Sequence, residues 1–235
     1  MTKPNGRDQI LQAALVTFAH NGFDGASIRD IAQRADLSLS ALYYYFSSKK
    51  EALFALVEKA YSTYNARTAE ILTHAPDDVN AQVAYGVQHL VSYRCINVMY
   101  SRVILLETGR LAGPRYAQAH EMQRESSSVF EKIIARGRSQ GIFHVDDPAL
   151  MTRSVNAMCN AIPQWFVPGG AYTPESLAYQ YVLTTLRMLG SEQANNIEPF
   201  FDGSVDVSAN HIDPVADAQN GAEGEAVNGV RLPPL

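Results

Sequence analysis

The chain has 235 residues, 46% of them hydrophobic, which is enough to bury a substantial core as one domain or two. No apolar run approaches the roughly 18 residues that a membrane span requires, and the opening MTKPNGRDQ lacks the apolar core of a signal peptide, so a cytoplasmic protein with no membrane partner is expected. The net charge of -5 is unevenly spread: from Ser191 onward eight acids stand against Arg231 alone, so that stretch carries -7 and residues 1–190 carry +2.

The first helix is expected from about Arg7 to His20, with Ile10, Leu11, Ala14, Leu15 and Phe18 on one stripe and a stop at Asn21-Gly22. Ser27 then opens a short helix with Asp30 three residues on, an acidic variant of the capping box, and Ile28, Ile31, Ala32 and Ala35 share a face. The chain must turn at Asp36, a residue type that tolerates a left-handed backbone, and Ser38 is placed to cap a second short helix. That helix buries Leu42 and Phe46 and shows Leu39, Ser40, Tyr43, Tyr44 and Tyr45, because three consecutive tyrosines cannot all enter so small a core.

Two short helices at a tight turn, packed under a first, read as a helix-turn-helix, whose second helix lies in the major groove of DNA. The strings GFDGASIRDIA, DLSLSALYYYF and SSKKEALFAL, from Gly22 to Leu56, resemble the DNA-binding domain of the TetR family of transcriptional regulators. Asp36 departs from the pattern, which commonly has glycine there. In the family's pattern Leu39, Ser40 and Tyr44 face the groove after the Ser38 cap, with Arg29 able to pair bidentately with guanine. Tyr43, Tyr45 and Lys49 would contact phosphates, Lys49 from the first turn of the next helix. The first fifty residues carry only +2, so two copies are expected to bind DNA together.

Ser48 to Glu51 form a full capping box, and the helix they open should run to about His74 as a lever linking the DNA-binding end to a second domain. After Ala75-Pro76 a long apolar helical stretch is expected from Val79 through Leu106, then a break from Gly109 to Pro114. The next helix should end at Gly141 and carries a polar middle, HEMQRESSS; another starts at Asp147-Pro148 and is kinked or ended by Pro163. Thr173-Pro174-Glu175 opens a last helix to about Leu189. Beyond it the acidic, Gly- and Pro-rich composition predicts a disordered tail, with Phe200-Phe201 able to dock locally.

The expected fold is therefore all-α: a three-helix DNA-binding domain over 1–50, a helical effector-binding and dimerisation domain over 51–190, and a disordered acidic tail over 191–235. The resemblance implies a repressor that binds a pseudo-palindromic operator as a homodimer, its last two helices pairing with a second subunit, and that a small-molecule effector releases. Tyr93, Arg94, Met99, Arg102, Asn156, Asn160 and Trp165 are polar or aromatic residues set in apolar helices and are the candidates to line the effector pocket. The segment AIPQWFVPGGAYTPESLA weakly resembles family members that control lipid, sterol and acyl-CoA catabolism, which points to an apolar or acyl-type effector. Cys95 and Cys159 read as buried hydrophobes. The six histidines show no metal-binding spacing, and no phosphate loop or nucleophile elbow occurs, so neither a cofactor nor catalysis is expected. An architectural or activating DNA-binding protein without an effector is the competing reading.

Overall fold

The computed structural model describes residues 6–203 together with Val205 and Ile212. Among these residues the fold is helical throughout, without strands. Helix α1 (Gly6–Gly25) bends at Gly22, whose φ of 66° only a glycine adopts without strain; α2 (Ile28–Arg34) and α3 (Leu39–Tyr45) follow. The turn between α2 and α3 passes through Asp36 at φ 54°, the left-handed conformation expected from its residue type. Ile10, Leu11, Leu15 and Phe18 of α1 pack with Ile31, Leu42 and Phe46 to complete the three-helix head.

Helix α4 (Lys49–His74) is continuous for 26 residues, roughly 39 Å at 1.5 Å per residue, and passes from the head into the body. Ser48 caps it by accepting from the Glu51 backbone N–H at 3.3 Å. The body contains α5 (Val79–Ile96), α6 (Val98–Glu107), α7 (Gly113–Ser139), α8 (Pro148–Asn160), the single turn α9 (Ile162–Trp165) and α10 (Pro174–Met188). Nearly every residue of α5 is buried, since α4, α7 and α10 all pack against it. On the α7 side the approach is close: a Cβ on Gly86 would stand 2.7 Å from the Phe130 ring, so glycine is needed there for space.

Two expectations need correction. The apolar stretch from Val79 to Leu106 is two helices, because Asn97 leaves helical geometry at φ -105°, ψ 47°, its side-chain amide donating to the Tyr93 carbonyl at 3.2 Å. The tail expected to be disordered from Ser191 is packed at its start. Residues Glu192–Asn195 and Glu198–Phe201 form 3-10 turns that bury Ala194, Ile197 and Phe200. Gln88 of α5 donates to the Phe200 carbonyl at 2.8 Å, Ser191 to Asn80 at 2.6 Å, and the Ile212 N–H to Asn97 at 2.9 Å. A few apolar residues suffice because α5 supplies polar partners for their backbone. The rest of the predicted tail, including 213–235, lies outside the described residues.

Candidate DNA interface and effector cavity

Local chemistry fixes the head. Ser27 and Asp30 complete a reciprocal capping box, with Asp30 N–H donating to Ser27 Oγ at 3.1 Å and Ser27 N–H to Asp30 Oδ2 at 2.8 Å. Those hydrogen bonds hold the Asp30 carboxyl below its usual range. Arg29 sits exposed in the turn so fixed. Ser38 caps α3 by accepting from the Ala41 N–H at 3.1 Å, and its hydroxyl lies 3.0 Å from that of Ser40; both serines are exposed. Leu39 is half-buried against the core. Tyr43, Tyr44 and Tyr45 are 49%, 83% and 41% exposed and form an aromatic surface on the head, with the Tyr45 ring packed against Gly6 of α1.

Lys49, expected at a phosphate, is engaged within the protein. Its ammonium donates to the Phe23 carbonyl at 2.7 Å and the Ala26 carbonyl at 2.8 Å, and lies 4.4 Å from the centre of the Phe23 ring. The α1–α2 connection ends in backbone carbonyls facing the start of α4, and the nearest cation satisfies them.

A cavity of about 270 Å³ lies in the body, enclosed by α4, α5, α6, α7 and α8. Of the predicted residues, Tyr93, Arg94, Asn156 and Asn160 line it. Met99, Arg102 and Trp165 do not. Met99 packs into the core, and Arg102 Nε donates to the Pro163 carbonyl at 2.6 Å. Trp165 is 41% exposed, edge-on to Tyr172. The break at Asn97 starts a new helix, so Met99 and Arg102 do not share the α5 face that carries Tyr93 and Arg94, and Trp165, in the turn that Pro163 opens, lies outside.

Sequence reasoning missed Tyr61, Tyr64, Ser101, Ser126, Ser127 and Arg153 as lining residues. The signal for the α7 serines was the polar segment HEMQRESSS inside an otherwise amphipathic helix. Tyr64 stacks on His89 and meets Tyr93 edge-on at 5.1 Å, and Tyr93 donates its hydroxyl to the Ala60 carbonyl at 3.1 Å, so α4 and α5 are joined at the cavity wall. Burial pushes the Tyr64 phenol up to about 12 and raises those of Tyr61 and Tyr93, while the Arg94 guanidinium pulls each back down. Arg94 itself donates through Nε and Nη2 to Asn160 Oδ1 at 3.2 and 2.9 Å, and through Nη1 to Ser101 at 3.3 Å.

Two of the five cavity helices touch the head, and a third braces the first turn of α4. Helix α1 packs on α6, α4 grows out of the head, and Arg115 at the start of α7 makes a bidentate pair with Glu51 at 2.7 and 3.2 Å, its guanidinium 4.3 Å from the centre of the Phe54 ring. Among the described residues no three His, Cys, Asp or Glu side chains could hold a metal ion together, and no helix is long and apolar enough to cross a membrane.

A helix-turn-helix head with an exposed aromatic second helix, built onto a helical body that contains a cavity, defines the class of DNA-binding regulators. Residues 10–57 match "Bacterial regulatory proteins, tetR family" and residues 76–189 match "Tetracyclin repressor-like, C-terminal domain", and the chain belongs to the TetR family of transcriptional regulators. It is 26% identical over 186 residues to the HTH-type transcriptional repressor KstR2 of Mycobacterium tuberculosis, covering 77% of this chain and 90% of that protein. A tetR-family regulatory protein from Rhodococcus RHA1 has a similar crystal structure, with a TM-score of 0.74 at 26% identity over 80% of this chain and 99% of that one. The fold is also shared with AibR, solved in complex with isovaleryl coenzyme A and operator DNA, with a TM-score of 0.71 at 20% identity over 77% and 97% of the two chains.

Proposed function

We propose that the protein is a cytoplasmic repressor that binds a pseudo-palindromic operator as a homodimer and is released from it by a small acyl-type effector. Arg29, Ser40 and Tyr44 read base edges, and Tyr43 and Tyr45 contact phosphates; Leu39 packs under them. The observation that carries this reading is the sharing of walls: α4 and α6 line the cavity and also touch the head, and α7, a third wall, braces the first turn of α4. A ligand that changes their spacing tilts the head. Over a lever of roughly 39 Å, a few degrees displaces the recognition helix by a couple of ångströms, enough to disturb the register of two such helices in successive major grooves. That AibR was solved with both an acyl coenzyme A and operator DNA supports the effector class.

The test is reciprocal coupling. An effector that loosens DNA tenfold binds the DNA-free form tighter by about 1.4 kcal/mol, and DNA must weaken effector binding by the same factor. Titrating acyl compounds by calorimetry with and without a selected operator duplex measures both, and equal affinities in the two titrations overturn the reading.

A further inference from the structure

The charges on the cavity wall are of one sign. Arg94 and Arg153 line it, and no aspartate or glutamate does. Elsewhere several arginines have carboxylate partners: Arg67 pairs with Glu70, Arg110 with Asp24, Arg115 with Glu51 and Arg136 with Asp77. Arg94 is half-buried, and its hydrogen-bond partners, Asn160 and Ser101, are both neutral. Of the five N–H donors of a guanidinium these partners take three, leaving one on each terminal nitrogen. Such an arrangement holds the guanidinium plane still without neutralising it. A charge withdrawn from water and left without a counter-ion carries an unmet desolvation cost, which a bound anion offsets. Its field already reaches the surrounding groups: it draws down the burial-raised pKa values of Tyr61, Tyr64, Tyr93 and Cys159.

The rest of the wall is mixed: Gln123, Ser126, Ser127 and Asn156 are polar, while Tyr64, Leu90, Ile104 and Leu105 give it an apolar and aromatic part, and its 270 Å³ falls just under the roughly 300 to 1,000 Å³ of common ligand sites. Resting on the reading of this cavity as the effector site, we infer that it selects an acyl ligand by an oxyanion, which pairs with Arg94 while Asn160 positions the guanidinium and Tyr64, Leu90 and Ile104 take the apolar chain. The oxyanion has two sources. A free carboxylic acid of short chain carries it at the head. The coenzyme A thioester of that acid carries it on its phosphates.

The experiment is calorimetric titration of the full-length protein, without DNA, with straight-chain carboxylates from butanoate to octanoate, their coenzyme A thioesters and their primary amides. Binding by the acids or by the thioesters, with the amides at least tenfold weaker, is the expected result, and which of the two binds identifies the source. Arg94→Gln should lower affinity at least tenfold. Asn160→Asp gives Arg94 an internal carboxylate, so it should abolish oxyanion binding while leaving the thermal midpoint unchanged or raised, which a merely structural role for Asn160 does not predict. Amides binding as tightly as acids and thioesters, undiminished affinity in both variants, or no binding by any of the three classes overturns the inference. Oxyanion binding that depends on Arg94 but leaves operator affinity unchanged supports it and instead counts against effector-controlled release.

Discussion

An ammonium that donates to two carbonyls at 2.7 and 2.8 Å and lies over an aromatic ring ties the start of α4 to the α1–α2 connection. Lys49 is half-buried, so its replacement leaves those carbonyls without a charged donor. Lys49→Met should lower unfolding free energy by about 1.5 to 3 kcal/mol, the worth of hydrogen bonds to a charged group, read as a fall in urea midpoint. The salt dependence of DNA binding should not change, since no phosphate contact is lost. The two thiols make a second residue-level prediction. Burial raises Cys95 and Cys159 from an ordinary 9.0 to about 12. In that interval the unfolded chain gives up protons that the folded chain keeps, so their contribution to stability is complete below pH 9 and is lost as pH rises toward 12. Urea midpoints should therefore fall above pH 9, and less steeply in a Cys95→Ala, Cys159→Ala double variant.

At the scale of the element, α3 is seven residues long and too short to persist alone, so it depends on the Ser38 cap and on Leu42 and Phe46 for its place. Its tyrosines contribute little to that packing. Tyr44, at 83% exposure, can be cut to alanine with the thermal midpoint almost unmoved, while operator affinity falls. Arg29→Ala should weaken discrimination at one base position by about 1 to 3 kcal/mol and leave the others alone, as binding to a panel of single-base operator variants reports. Unchanged DNA affinity in both variants removes α2 and α3 from the interface.

The molecule as a whole closes at both ends of α5. Ile197 and Phe200 are buried, and Gln88 and Asn80 find their partners in the segment after α10, so deletion from Ser191 uncovers apolar surface and strands polar groups together. That deletion should cost several kcal/mol in chemical denaturation. Deletion of 213–235 alone, which leaves those contacts in place, should cost much less. Coupling between body and head should pass in part through the Arg115–Glu51 pair. Glu51→Gln keeps the Ser48 cap but removes the ion pair, and should reduce the effect of effector on operator affinity while leaving effector affinity in the absence of DNA unchanged. Calorimetry together with fluorescence anisotropy on labelled operator separates the two.

Local rules carry far in this chain. Caps at Ser27, Ser38, Ser48 and Thr173, the left-handed turn at Asp36 and the stop at Gly141 are set by residues within four positions of one another, so the helices, the helix-turn-helix and the 26-residue lever were legible from the sequence. Four of the seven predicted cavity residues were legible for the same reason: Tyr93 and Arg94 on α5, and Asn156 and Asn160 on α8, lie within single unbroken helices. What depended on distant partners was not. Lys49 is claimed by carbonyls more than twenty residues away, Phe200 by Gln88 on another helix, and the α7 serines by a cavity that exists only once five helices meet. Periodicity places a residue on a face, but which neighbour that face meets, and whether a charge found there is already satisfied, is decided by contacts between segments far apart in the chain.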